Sequence, residues 1–155
     1  MILSDITLLK LLNYNPPLIE PWSTRAEFNG MTYGLGPAGY DIRIAEEITL
    51  SRNDFVLAYS LERFHMPNNL LAMVKDKSSW ARRGLAVQNT VIEPGWRGYL
   101  TLEITNHGPT SIHVPSGCPI AQVIFYQVDQ HVLHPYDGRY QDQGPEAVPA
   151  EGIEV

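Results

Sequence analysis

From residue 41 onward, short segments of alternating apolar and polar residues constrain the fold more than any other feature of the chain. Alternation places one set of side chains on each face of a strand, so each segment predicts a strand with one buried face. Turn-forming residues, mainly Pro, Gly, Asn and Ser, separate these segments. The predicted strands cover 41–50, 54–64, 70–76, 98–106 and 119–128. Short strands with regular turns predict a mainly β domain: a sandwich, a jelly roll or a distorted barrel.

One short helix is predicted before the strands begin. Ser4 can cap a helix that starts at Asp5, and Asn15 and Pro16 end it. Its apolar stripe consists of Ile6, Leu8, Leu9, Leu11 and Leu12. No other segment predicts a substantial helix.

Composition favours a single globular domain over residues 1–155, with 44% hydrophobic residues and no dividing linker. The formal charge of −6 argues against a nucleic-acid partner, which needs a broad basic face, but a small anion needs only a local cluster. Cys118 is the single cysteine, which excludes a disulfide framework and favours a reducing compartment. The first residues lack a basic region and a cleavage site, and no apolar run approaches membrane-spanning length, so we expect a cytoplasmic protein without a membrane partner.

The stretch from 75 to 106 carries more ionisable side chains than a strand needs for folding, which suggests a polyanionic ligand or a reaction. Within it, alternation places Leu100, Leu102 and Ile104 on one face and Glu103 on the other. For an isolated strand, a solvated glutamate is the simpler interpretation, because exposed acids are common.

The C-terminal segment 135–155 is rich in Pro, Gly, Gln and acidic residues, so on its own we expect it to be mobile. It also contains aromatic and basic residues, which could order it as a lid over a ligand.

Five blocks of the chain resemble the dCTP deaminase family, the branch of the trimeric dUTPase superfamily that deaminates a cytosine nucleotide without zinc. "GPAGYDIRI" at 36–44 is similar to the family's P-A-S-x-D-L-R-L, and "KSSWARRGL" at 77–85 to its G-R-S-S-L-A-R-L-G-L. "IEPGWRGYLTLEITN" at 92–106 matches I-D-P-G-W-x-G-x-x-x-L-E-x-x-N, and "GCPIAQVIFYQV" at 117–128 matches G-x-x-I-x-Q-L-x-F. "PYDGRYQDQGP" at 135–145 resembles the family's tail. The resemblance implies a dUTPase-like distorted jelly roll or β-barrel, assembled as a homotrimer with sites between subunits.

The resemblance also implies site residues. It gives Glu103, Ser78 and Arg82 to the reaction, with Glu103 as the general acid/base. The substrate-binding residues that it implies are Lys77, Ser78, Ser79, Arg82, Glu93, Gln122, Arg139, Tyr140 and Gln143. Their hydroxyl, amide and cationic groups suit a triphosphate, and Mg²⁺ would accompany it because that cation binds mostly phosphate oxygens and water.

No zinc is expected. Zinc deaminases hold an activated water with His and Cys ligands in an H-x-E and P-C-x-x-C pattern, which this sequence lacks. The five histidines show no ligand spacing with Cys118. Without a metal, attack at C4 of cytosine needs a carboxylate to take the proton of the water, and the resemblance gives that role to Glu103.

The loop "GLAVQNTVIEPGW" at 84–96 departs from the family's G-L-x-V-H-x-T-A-H-x-I-D-P-G-W by two missing residues and by Glu93 in place of aspartate. The shorter spacing resembles dUTPases, whose aspartate positions the water that attacks phosphorus. Three functions therefore stay open beside a dCTP deaminase: a dUTPase, a bifunctional enzyme that also releases pyrophosphate, and a non-catalytic nucleotide-binding regulator.

Overall fold

The computed structural model describes residues 1–153. Its helices and strands, in chain order, are α1 (Asp5–Leu12), β1 (Ile19–Glu20), β2 (Ala26–Phe28), β3 (Met31–Gly36), β4 (Gly39–Arg43), β5 (Ile48–Leu50), β6 (Phe55–His65), β7 (Leu70–Asp76), α2 (Ser78–Ala81), β8 (Leu85–Val87), β9 (Val91–Ile92), β10 (Arg97–Asn106), β11 (Ile112–Val114) and β12 (Pro119–Gln127).

Two antiparallel sheets enclose one hydrophobic core. The larger sheet has the strand order β2-β3-β4-β12-β7-β9, and the smaller has the order β1-β6-β10-β8. Strands β5 and β11 form a separate pair. The largest fully buried side chains come from both sheets and include Tyr40, Phe64, Leu102, Ile104 and Phe125. The predicted mainly β fold with one short N-terminal helix is confirmed, and α2 adds only a single turn.

Helix α1 begins at Asp5 as predicted and ends at Leu12, slightly before the predicted stop at Asn15, and its N-cap differs from the prediction. Ser4 occupies the N-cap position without a side-chain hydrogen bond, and the carboxylate of Asp5 accepts the amide of Ile6 at 2.8 Å. Only Leu8 and Leu12 are fully buried, whereas Ile6 is 68% exposed. The face that packs on the barrel is therefore narrower than the predicted apolar stripe.

The predicted strand over 41–50 is two strands. Strand β4 ends at Arg43 and pairs with β12, and β5 begins at Ile48 and pairs with β11. The exposed pair Glu46 and Glu47 lies between them. Two consecutive acids break the alternation that a single half-buried strand needs, so the chain leaves the larger sheet and enters the separate β5–β11 pair.

Strand β10 contains an irregularity that the alternation did not predict. Its register against β6 shifts between Tyr99 and Thr101, and the amide of Leu100 donates to the hydroxyl of Ser60 at 2.8 Å. Leu100 is half-buried: it packs against the core, as the alternation predicted, and it also lines the same cavity as Glu103. A bulge allows this double contact, because it changes the direction of the side chains next to it.

Candidate active site

A cavity of about 740 Å³ lies where β10, the loop after β8 and the C-terminal segment meet. Its size suits a ligand of nucleotide dimensions. Its lining combines aromatic, aliphatic and carboxylate side chains: Phe55, Leu57, Asn89, Thr90, Val91, Ile92, Glu93, Trp96, Leu100, Thr101, Glu103, Tyr136, Tyr140, Gln143, Val148 and Ala150.

Glu103 presents its carboxyl group to this cavity from the middle of β10. The strand fixes its backbone, since Leu102 and Ile104 on either side are fully buried in the core. One carboxyl oxygen, Oε2, is buried and has no hydrogen-bond partner among the described residues. Burial raises the pKa of the Glu103 carboxyl above its ordinary value. A carboxyl that holds its proton more tightly and lacks a structural partner suits proton transfer better than structural support.

Glu93 contributes a second carboxylate to the same cavity. It is exposed and begins a tight turn in which the amide of Trp96 donates to its carbonyl at 3.1 Å. Gly95 in this turn has a φ of +85°, and a Cβ there would lie 2.6 Å from the Cβ of Pro135. The Pro-Gly corner therefore requires glycine both for its backbone conformation and for close approach of the C-terminal segment.

The other walls are largely apolar. Trp96 is buried, Leu100 is half-buried, and Phe55 at the rim is 58% exposed. Tyr136 and Tyr140 add aromatic surface from the C-terminal segment. A planar base could lie against such walls while its polar edge faces the carboxyl groups.

The C-terminal segment crosses β10 and closes one side of the cavity. The indole of Trp96 donates to the carbonyl of Tyr140 at 2.7 Å, and the amide of Tyr99 donates to the carbonyl of Gln143 at 3.1 Å. Tyr140 and Gln143 line the cavity, as expected for a lid, whereas Arg139 does not line it and donates to the carbonyl of Glu151. Residues 154 and 155 of the predicted lid lie outside the described residues.

A salt bridge fastens the segment further. The guanidinium of Arg97 donates from Nε and Nη2 to the two carboxylate oxygens of Asp142, at 2.5 and 2.8 Å. The side chain of Gln141 accepts the amide of Arg97 at 2.8 Å and donates to the carbonyl of Gly95 at 3.0 Å. These contacts join the segment to the strand that carries Glu103.

A second group of predicted site residues lies around α2, outside this cavity. Ser78, Ser79 and Arg82 are exposed on that turn, which Trp80 anchors by donating its indole N–H to the carbonyl of Pro119 at 2.7 Å. None of the three belongs to the cavity lining of the described chain. The structure therefore separates the predicted donors for phosphate from Glu103 within one subunit.

Lys77 and Gln122 lie beside this turn and share Asp41 as a neighbour. The ammonium of Lys77 forms an ion pair with Asp41 at 2.6 Å and is largely buried, so Asp41 already compensates its charge. Gln122 is half-buried on β12, opposite Asp41 on β4 and Lys75 on β7.

Sequence reasoning missed Asn89, whose side chain lines the cavity and bonds to β10. The only available signal was the shortened loop in which it lies. It also missed Tyr136, which lies in the tail block but outside the matched site positions.

Three further features of residues 1–153 concern metal ligands, the single thiol and membrane-spanning helices. No three His, Cys, Asp or Glu side chains among residues 1–153 lie close enough to hold a metal ion. Cys118 is buried, and burial raises the pKa of its thiol to about 11. Over the same residues, no helix is long and apolar enough to cross a membrane.

Solved structures show which fold this is. The native EIAV dUTPase superimposes with a TM-score of 0.58 at 24% identity, covering 78% of this chain and 96% of that one. A dUTPase from phage phi11 of S. aureus, studied for its structural Mg(II) ion, gives a TM-score of 0.57 at 16% identity, covering 78% and 94%. The predicted dUTPase-like fold is confirmed.

Sequence relatives identify the branch of that fold. The dCTP deaminase of Herpetosiphon aurantiacus is 34% identical, covering 81% of this chain and 86% of the relative. The dCTP deaminase of Chlamydia caviae is 33% identical, covering 77% and 80%. A family profile described as dCTP deaminase-like matches residues 38–128. This chain therefore belongs to the dCTP deaminase-like family.

Proposed function

We propose that the protein hydrolyses dCTP to dUTP and ammonia without zinc. The observation that carries this proposal is the buried, unpartnered carboxyl oxygen of Glu103 at the wall of a largely apolar cavity. The sequence relatives named dCTP deaminase support the choice of substrate. A soluble nucleotide enzyme of this kind would work in the cytoplasm, or in a host's cytoplasm if its source is viral.

Glu103 moves the proton in this mechanism. Its carboxylate takes a proton from a water molecule while the water oxygen forms a bond to C4 of cytosine. The protonated carboxyl gives this proton to N3 of the ring, which leaves a tetrahedral carbon with a hydroxyl and an amino group at C4. Glu103 then takes the proton of that hydroxyl and gives it to the exocyclic amine. The bond from C4 to the amine nitrogen breaks, the C4 oxygen becomes a carbonyl, and ammonia departs. The raised pKa of Glu103 helps the second step, because the carboxyl can hold the proton between transfers. Such acid/base work contributes on the order of 10²- to 10⁴-fold in rate.

The residues around α2 would bind the triphosphate and orient the reacting water. Arg82 supplies charge, Ser78 and Ser79 supply hydroxyl donors, and Gln122 supplies an amide. Lys77 joins this cluster, with Asp41 holding it in place. Mg²⁺ carried by the phosphates would neutralise part of their charge, because that cation binds mostly phosphate oxygens and water.

A homotrimer would bring the two groups together. Within one subunit, Glu103 faces the cavity while Ser78 and Arg82 lie outside it, so a site that uses all three needs a neighbouring copy. Apolar side chains near the cavity support such a contact. Phe55 is 58% exposed, and Met73 and Val91, paired across β7 and β9, are each 38% exposed. Identical subunits that join in this way form closed rings.

The C-terminal segment would act as the lid. Tyr140 and Gln143 already line the cavity, and Arg139 would turn from Glu151 towards the phosphates when the nucleotide binds.

Glu93 supports a second candidate function, a dUTPase or a bifunctional enzyme that cleaves dUTP to dUMP and pyrophosphate. It replaces the family's aspartate and shares the cavity with Glu103, so two carboxylates could serve two hydrolyses.

Measuring ammonia and pyrophosphate separately, with dCTP or dUTP and Mg²⁺, tests these proposals. Ammonia alone supports the deaminase, and pyrophosphate alone supports the dUTPase. Both products from dCTP support the bifunctional enzyme. Binding without either product would contradict catalysis and indicate a regulator.

A further inference from the structure

The shortened loop leaves the sheet immediately beside Glu103. Strand β8 pairs with β10 only as far as Val87, which lies opposite Ile104. One more main-chain bond follows, from the amide of Gln88 to the carbonyl of Glu103 at 2.8 Å. Beyond this point the main chain of the loop turns away from β10.

After this point the side chain of Asn89, instead of the main chain, forms the hydrogen bonds to β10. Its Nδ2 donates to the carbonyl of Thr101 at 2.7 Å, and its Oδ1 accepts the amide of Glu103 at 3.3 Å. A carboxamide carries a donor and an acceptor in one plane, as a peptide group does, so a single side chain can replace the partners that a longer β8 would supply. Both polar main-chain groups of Glu103 are thereby fixed, the amide by Asn89 and the carbonyl by Gln88.

We propose that Asn89 is the positioning residue that holds Glu103 in its catalytic orientation. The inference rests on the proposed function, because it assigns Glu103 to proton transfer. Asn89 acts through its hydrogen bonds to the backbone of β10. It is also part of the cavity lining, where it covers the carbonyl of Thr101 and the amide of Glu103 and keeps water from them. Holding a reacting group in the correct geometry raises the reaction rate, because a small displacement of that group slows catalysis strongly.

Two substitutions of Asn89 test the proposal in opposite directions. Asn89→Ala removes both hydrogen bonds and opens Glu103 to water, so kcat for ammonia release should fall on the order of 10- to 100-fold with the KM for dCTP little changed. The acid limb of the pH profile of kcat should move to lower pH, because solvation favours the charged carboxylate. Asn89→Asp places a negative charge beside Glu103, so the same limb should move to higher pH.

Gln88→Ala is the matched control. The carboxamide of Gln88 also bonds to β10, accepting the hydroxyl of Thr105 at 2.7 Å, but it does not line the cavity. The bond to the carbonyl of Glu103 comes from the main-chain amide of Gln88, which alanine keeps, so we expect this variant to retain the kcat and the pH profile of the wild type. Thermal unfolding and light scattering of each variant confirm that it is folded and assembled like the wild type.

A second readout does not depend on turnover. The ¹³C resonance of the Glu103 carboxyl, assigned by its loss in Glu103→Gln, gives the pKa directly and should show the same opposite shifts in the two Asn89 variants. If the wild type released no ammonia, the proposed function would fail while this titration still tested the positioning. Unchanged kcat and unchanged Glu103 titration in folded Asn89→Ala would overturn the inference, as would shifts of the same sign in both variants.

Discussion

At the scale of single residues, one physical cause links the chemistry of Glu103 with a cost in stability. The cavity walls remove water from the carboxyl group, and burial is the largest cause of its raised pKa. The same desolvation disfavours the ionised form of the folded protein. A glutamate kept in this position for folding alone would be a poor choice, which is why the unpartnered oxygen points to catalysis.

The pH dependence of thermal stability tests whether burial of the Glu103 carboxyl destabilises the folded protein. The pKa of Glu103 in the folded protein is higher than its ordinary value of 4.5, so the folded state keeps a proton that the unfolded state has already lost. The free energy of unfolding therefore falls as the pH rises from 4.5 to the raised pKa. Glu103→Gln removes the effect. We predict that the variant melts at a higher temperature than the wild type at pH 8, and that the difference shrinks at or below pH 4.5. A difference in Tm that does not depend on pH would contradict the burial argument.

Glu103→Gln and Arg82→Ala should separate chemistry from binding. The first keeps the shape of the side chain but cannot accept a proton, so ammonia release should fall on the order of 10²- to 10⁴-fold while nucleotide affinity persists. The second removes a cation from the phosphate cluster, so affinity for dCTP should fall, by equilibrium dialysis, together with rate. Near-normal ammonia release by Glu103→Gln would mean that Glu103 is only a structural strand residue.

At the scale of strands and loops, local patterns predicted what depends on alternation and missed what depends on tertiary contacts. Glu103 faces away from Leu102 and Ile104 as the alternation of β10 predicted. The register shift in β10 was not predictable, because it occurs where the amide of Leu100 bonds to the hydroxyl of Ser60 on β6, a tertiary contact. The bridge from Asn89 also depends on where the loop leaves β10, which no local pattern encodes.

The C-terminal segment makes a prediction at this scale. Gly98 has a φ of +142°, and a Cβ there would lie 2.7 Å from the amide nitrogen of Gln143. Gly98→Ala should therefore lift the segment from β10, raise its susceptibility to proteolysis and lower activity, as should truncation before Pro135. Gly36→Ala is the control, because its nearest non-neighbouring atom lies at 3.5 Å and its backbone requires no glycine. Full activity and affinity after truncation would refute the lid.

At the scale of the whole molecule, the division of the proposed site residues into two groups predicts an assembly of several copies. Light scattering at micromolar concentration should give three times the subunit mass, because the proposed site needs residues of neighbouring copies. A monomeric mass for active protein would contradict this assembly.

Mixed assemblies should show directly that sites are shared. When equal amounts of Glu103→Gln and Arg82→Ala subunits are co-expressed, ~a quarter of the sites should combine an intact Glu103 with an intact Arg82 from another subunit, and activity should return. If each site lay within one subunit, the mixture would stay as inactive as its parents.

Ammonia release from dCTP by the purified wild-type protein, followed against time with Mg²⁺ present, tests the central claim most directly. We predict one ammonia for each dUTP formed and a rate that does not change when zinc is chelated. Glu103→Gln should lose ammonia release while its assembly stays the same. Binding of dCTP without ammonia release would contradict the central claim, as would pyrophosphate release from dUTP by a protein that releases no ammonia from dCTP.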